Sequence, residues 1–580
     1  MAMIRRIDFK KLACFILPAA IATLIAMVSL NIWTMDFSII RFPESDERQG
    51  LMMFKSIQES GLYGALFVER LGAPEVSALI DTPFLDWPMI FMIWILTRFV
   101  NYNIAYYIFY ILTYTSAALA MYVLLSKVSN NYWIRIGLSI AYAITPYHFY
   151  RGTIHMTLSN CYILPLGIYL AILIYEEKWH AGILTCENKK KMKNVAVWGI
   201  ATLAALNNVY YAFFVMLMVL IAVFYKMIEQ KTWKPLLHEA VVFYGMCVVF
   251  FLGLMPKILY SIIYGSNTLA AVRYPFETEF YGLKIIQLFL PPSYSQIDAL
   301  AKINSAYTAN AINVNENNWS NMGIIAIVGF LVLCGWFIAN YIKHFQKDRI
   351  TQRLNLFAMM ALVVLLFCTV AGVGTIFSYV VTPELRCLNR GSIVLVALSL
   401  TFVAVVFNKI HKKVIKRCAM WGLLLLLLFA SYAEVDYQPY GWSNASEDIS
   451  RDYSEFFSEI EASLDTGAMI YQLPFSEFPE AAVINNMDDY SHLLGYIYTD
   501  TLKWSYGGMK GRNIAAQALN IDGGMSEAFI KGIRDAGFSG FYIDTFGYED
   551  NGASIIEYYK ELLEQEPLCT EDGRLYFFYI

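Results

Sequence analysis

The feature that most constrains this chain is the alternation of long apolar segments with short links rich in lysine and arginine. Apolar runs cover residues 12–33, 104–125, 195–225, 241–263, 324–342, 354–380, 393–407 and 421–432. About 20 apolar residues at helical rise cross the ~30 Å hydrocarbon core of a bilayer. A soluble fold cannot bury so many such runs. Hydrophobic residues make up 58% of the 580 and charged residues only 16%, which points to a polytopic α-helical membrane protein.

The basic links set the orientation. Residues 1–11 carry Arg5, Arg6, Lys10 and Lys11, and the apolar stretch after them is too long for a signal-peptide core. This is a retained first helix with a cytoplasmic N-terminus. The links at 126–135, 189–193, 226–231, 343–353 and 409–417 are also basic. All of them fall on the cytoplasmic side if the chain makes about eleven spans. That count leaves 88–96, too short to cross, as a non-spanning helix. It also folds 195–225 into a hairpin at Asn207 and Asn208. The first arm of the hairpin is only about 18 Å long at helical rise, short of a full span. Its apex, with Asn207, Asn208, Tyr210 and Tyr211, is then predicted at the floor of an outward-facing cavity. One long tilted helix is the alternative.

This topology makes residues 34–100 and 266–321 external loops. Beyond residue 434 the composition becomes that of a soluble domain, with strands predicted at 468–473, 540–543 and 574–580 and helices at 526–536 and 554–564. The expected organisation is a membrane module over 1–433 and an external α/β domain over 434–580. A net charge of −4 argues against nucleic acid as a partner. The nine cysteines form no CxxC pair, so neither a disulfide framework nor a zinc site is expected.

Chemistry-bearing residues gather in the external segments. Phe42-Pro43-Glu44-Ser45-Asp46-Glu47-Arg48-Gln49 puts three carboxylates just outside the first helix. Arg151, His155, Arg273, Arg386 and Arg390 are cations that later external segments bring to the same side. Arg386 and Arg390, four residues apart, share a face if their turn is helical and would clamp one phosphate; snorkelling to headgroups is the bland alternative. A carboxylate opposite cations suits sugar transfer from a lipid phosphate. The acid takes the acceptor's proton, and the cations hold the phosphate as its charge grows. Trp504 and Tyr506, beside glycines in 503–512, are candidates for binding an acceptor carbohydrate if exposed, and ordinary buried aromatics if not.

On these residues the chain resembles the bacterial GT-C-type membrane glycosyltransferases, and within them the YfhO-like group. The resemblance is carried by Ser45-Asp46-Glu47 and by Pro146-Tyr147-His148-Phe149-Tyr150-Arg151-Gly152 with His155. Val209-Tyr210-Tyr211-Ala212-Phe213-Phe214, Arg386 with Asn389-Arg390, and the external C-terminal domain complete it. It implies a polyprenyl-phosphate sugar donor drawn from the membrane and a glycan or envelope-polymer acceptor outside a bacterial plasma membrane. It implies Asp46 as the base, with Glu44 and Glu47 competing and Glu47 as helper or metal ligand. Some relatives use a divalent metal near that acid; no compact cluster here demands one, and the question stays open. Two other functions are weighed. A transporter or flippase of lipid-linked sugars would show an internal repeat, which the sequence lacks. A non-catalytic scaffold would not need arginines at helix entrances.

Overall fold

The structure is a computed structural model that describes residues 9–37, 39–41, 46–82, 86–176, 188–343, 348–437 and 444–580. Glu44 lies outside the described residues. Among those described, eight helices are long and apolar enough to cross a membrane. They are Phe9–Ser29, Tyr102–Val128, Val209–Gln230, Lys234–Gly253, Ile324–Lys343, Arg349–Cys368, Leu388–Asn408 and Lys413–Ala433. The chain is thus a multi-pass membrane protein. An apolar window of Leu388–Asn408 is 83% buried within the protein and one of Lys413–Ala433 only 6%, so the first is central and the second peripheral. The expectation of eleven spans counts three shorter helices besides, Tyr132–Ala143, Ile163–Glu176 and the helix ending at Ala205. At 12 and 14 residues the first two reach only about 18–21 Å.

Small residues bring the first helices together. Ala19, Ala22 and Ala26 are buried on Phe9–Ser29, as are Ala117 and Ala118 on Tyr102–Val128, and these two helices pack on each other. Thr23 and Thr115 hydroxyls hydrogen-bond at 2.6 Å across the pair. Val209–Gln230 packs on Ile163–Glu176, while Ile324–Lys343 and Arg349–Cys368 both pack on the central Leu388–Asn408.

The apolar run 195–225 is two helices, broken after Ala205 and restarted at Val209. The Asn208 side chain caps the second by accepting from the Tyr210 amide at 3.0 Å. Trp87–Leu96 is a ten-residue helix, too short to span at about 15 Å. Asp86 caps it, and Pro88 occupies its first turn, where the missing amide loses nothing.

Beyond the bundle lies a five-stranded sheet of order β2-β1-β3-β5-β4, with β1 Met469–Leu473, β2 Lys503–Trp504, β3 Phe538–Asp544, β4 Leu568–Cys569 and β5 Leu575–Tyr579. β1 is parallel to β2 and β3; β5 runs antiparallel to β3 and β4. Helices Glu527–Asp535 and Ala553–Leu563 fall where the sequence places them, and Asn444–Ser463 is a further helix.

The aromatics of 503–512 are not exposed. Trp504 is fully buried and Tyr506 nearly so. The reason is the segment between the first two long apolar helices, whose residues 70–73 pair with this stretch. The Gly72 amide donates to the Tyr506 carbonyl and the Ala73 amide to the Trp504 carbonyl, both at 2.9 Å. Trp504 Nε1 donates to Thr499 Oγ1 at 2.9 Å, and the Tyr506 hydroxyl donates to the Asp489 carbonyl. The carbohydrate-stacking expectation for Trp504 and Tyr506 is therefore corrected: both are core residues with no free face.

Candidate functional site

Helix Asp46–Ser60 lies between the bundle and the C-terminal domain. Its first turn holds Asp46 and Glu47, which suit the positive end of the helix dipole. Leu51, Phe54 and Ile57 recur every third residue and are buried. On the domain side, Arg48 Nη1 reaches both Asp488 carboxylate oxygens at 2.5 and 2.6 Å. Lys55 Nζ donates to the Ile497 and Thr499 carbonyls at 2.9 and 2.8 Å and pairs with Asp500 at 2.8 Å. Burial lowers the Lys55 pKa, but three oxygen acceptors match its three donors.

Asp46 opens onto a cavity of about 720 Å³. Its wall includes Asp46, His155, Arg273, Arg386 and Arg390, with Asn208 and Tyr210. These residues come from five separate stretches of chain. The wall also includes Asp86, Glu316, Glu384, Glu480 and Asp489.

The turn after Pro146–Arg151 brings His155 to the wall. Gly152 has φ +39, and an added Cβ would lie 2.8 Å from the Phe149 carbonyl oxygen, so only glycine fits this reversal. His155 Nε2 then lies 3.0 Å from Asp46 Oδ2 and 3.8 Å from Glu316 Oε2.

Glu316 is the hub of the cationic side. Its carboxylate pairs with Arg151 at 2.7 Å and Arg390 at 3.5 Å. Asn317 beside it is anchored by Gln287 and by the Phe280 and Asn313 carbonyls. Burial pushes the Glu316 carboxyl up, but Arg151, Arg390 and His155 together outweigh burial and hold it well below the usual value.

Arg151 is fully buried behind Glu316, held also by Asn389 Oδ1 at 2.9 Å and flanked by the Tyr147 and Trp319 rings. The expectation that it touches a donor phosphate is corrected, because Glu316 stands between it and the cavity. Arg390 reaches the wall with its guanidinium 4.3 Å from the Tyr210 ring centre. Arg386 also reaches it, paired with Glu277 at 2.6 Å and lying over Tyr281. The two do not share one helical face, since only Leu388–Gly391 is helical, as a single 3₁₀ turn. Arg273 makes a two-pronged pair with Glu480 of the C-terminal domain at 2.5 and 2.6 Å, and Glu480 lies 4.0 Å from Arg386.

Three further expectations are corrected. Glu47 is buried beside Tyr106 and Tyr107 and is absent from the wall, because it sits on the face of its helix turned to the bundle. Asn207 lines a separate small crevice beside Trp87 and Gly253. Tyr211 is fully buried, its hydroxyl on the Leu158 carbonyl and the Tyr147 hydroxyl. Of the four apex residues, Asn208 and Tyr210 face the cavity. Among the described residues no three His, Cys, Asp or Glu side chains are placed to hold a metal ion.

Glu316, Glu480, Asp489 and Asp86 carry no sequence expectation as site residues. Glu316 sits in a conspicuous Asn- and Trp-containing stretch before a span, the one local signal that could have found it. The other three come together only in the folded chain.

No family model matches the chain, and no curated protein matches it. Solved structures do. The oligosaccharyltransferase of Archaeoglobus fulgidus in complex with zinc and sulfate has a TM-score of 0.52 at 12% identity, over 97% of this chain and 72% of its own. The A. fulgidus enzyme AglB, with an inhibitory peptide and a dolichol-phosphate, gives 0.51 at 12%, over 99% and 75%. The mycobacterial arabinofuranosyltransferase AftD aligns at 0.47 and 13% over 93% of this chain, which spans 35% of that protein's length. Over nearly its whole length the chain has the GT-C fold of membrane glycosyltransferases.

Proposed function

We propose that the chain is a membrane glycosyltransferase that moves a sugar from a polyprenyl-phosphate donor to an extracytoplasmic envelope acceptor. One observation carries this: a single cavity joins the first-loop carboxylate Asp46 to the cations Arg273, Arg386 and Arg390. That pairing matches the two demands of the reaction. As the acceptor hydroxyl attacks the sugar's anomeric carbon, Asp46 takes its proton, and His155 keeps the carboxylate oriented. As the glycosidic bond breaks, the departing lipid phosphate gains charge, which Arg386, Arg390 and Arg273 hold. Arg151 acts one layer back by fixing Glu316 and, through it, Arg390.

The fold supports the reading. A GT-C oligosaccharyltransferase of similar fold is known with a dolichol-phosphate, a lipid of the class proposed here.

The test is native mass spectrometry of the purified protein and of an Arg386→Ala, Arg390→Ala double variant. Polyprenyl phosphate, with or without sugar, bound to the wild type and lost from the variant is the expected result. Bulk phospholipid alone on both proteins sinks the donor site.

A further inference from the structure

Asp86 is a buried carboxylate on the cavity wall that the reaction above does not use. It is 7% exposed. Its Oδ1 accepts from the Met89 amide at 3.0 Å and caps helix Trp87–Leu96. Its Oδ2 is buried and makes no well-formed hydrogen bond among the described residues, although the Asn208 amide faces the carboxyl. A cap needs one oxygen, which serine supplies as well as aspartate. The second oxygen is therefore surplus to the helix.

Its surroundings limit what that oxygen can meet. Met89, Ile90 and Leu79 make the adjoining wall apolar. The Trp87 amide donates to the Leu206 carbonyl at 3.1 Å, which places Asp86 beside the Asn207–Asn208 break. Burial pushes the carboxyl up to about 7, against the pull of the Met89 and Asn208 amides, and no cationic side chain among the described residues opposes it. An anion would be repelled, and an apolar tail would leave a buried polar oxygen unpaired. A neutral hydroxyl fits, since a carboxyl near its pKa both donates and accepts. Glu384, another wall residue, also has a buried Oε2 without a partner among the described residues, and Tyr210 donates to its carbonyl at 3.4 Å.

We infer that Asp86 forms a hydroxyl-recognising subsite for the sugar of the lipid-linked donor. The inference rests on the donor reading above and adds a residue that separates sugar-bearing lipid from bare lipid phosphate. Arg386 and Arg390 bind the group both lipids share; Asp86 binds a group only one of them has.

The experiment measures competition by native mass spectrometry between undecaprenyl phosphate and a panel of undecaprenyl-phosphate monosaccharides, a hexose, an aminohexose and a pentose. The proteins are the wild type, Asp86→Ser and Asp86→Asn. Both variants keep a side-chain oxygen for the cap. Wild type is expected to prefer one sugar lipid over the bare phosphate. Asp86→Ser is expected to bind the bare phosphate unchanged and to lose about tenfold of that preference. Asp86→Asn, which restores a donor at the second position, is expected to regain part of it. Full preference in Asp86→Ser, or a wild type that binds sugar-bearing and bare lipid alike, overturns the subsite while the donor site stands. A wild type that binds neither lipid overturns the donor reading and the subsite with it.

Discussion

His155 Nε2 stands 3.0 Å from Asp46 Oδ2, joining a residue after the second long apolar segment to the acid that follows the first. In the proposed reaction the histidine steers the carboxylate and leaves its other oxygen for an acceptor hydroxyl. Asp46→Asn keeps the shape and removes the base, so turnover should fall about 10²- to 10⁴-fold while lipid binding persists. Transfer assays with purified donor and acceptor decide this; undiminished transfer would remove Asp46 from the mechanism.

Glu316 is the counter-charge of the fully buried Arg151. Glu316→Gln should destabilise the protein by about 3–5 kcal/mol, the usual effect of stranding a buried charge. A Glu316→Leu, Arg151→Met double variant should recover most of that in denaturant or thermal melts. Because the folded Glu316 carboxyl lies below its unfolded value, its stabilisation is present above about pH 4.5 and is lost as pH falls through the lower, folded value. A melt series from pH 5 to 8 should therefore show no dependence assignable to this group.

Glu480 engages Arg273 and approaches Arg386 as an anion of the protein's own. On the proposed function, a lipid phosphate has to compete with it for both guanidinium groups. Glu480→Gln should tighten binding of undecaprenyl phosphate severalfold. Unchanged or weaker binding would mean that Glu480 orients the arginines and does not rival the ligand.

Asp489 is pushed up to about 6, by burial first and then by the charges of Asp46 and Asp488. An acid whose folded pKa is raised favours folding below its unfolded value, near 3.8, and loses that advantage as pH climbs through about 6. Asp489→Asn should therefore raise the melting temperature at pH 7–8 and leave it unchanged near pH 4. A rise of equal size at both pH values would trace the effect to packing.

Much of the fold was legible because spans obey a simple length rule. The break at Asn207–Asn208 was legible because an asparagine inside a short apolar run makes a better cap than a helix interior. Asp46, His155, Arg273, Arg386 and Arg390 were legible as a group because charge between the long apolar segments of a membrane protein is conspicuous. Their partners were not. Glu480 and Asp489 sit in a soluble-type stretch where acids are ordinary, and nothing local says they turn toward a cavity built from residues hundreds of positions away. Trp504 misled for the opposite reason: glycines and lysines around it look like a surface loop, but residues 70–73 cover it. Arg151 was read by charge alone, and charge does not tell a wall residue from one a layer behind.

The wall of the cavity is closed by residues 479–490, and the helix that begins at Asp46 is tied to them through Arg48 and Asp488. A chain still emerging from the ribosome, with every span made but residues 479–490 not yet made, has no finished chamber around Asp46. The chamber therefore comes into being only when residues 479–490 fold against the bundle, and a fragment ending after the last span has no such chamber.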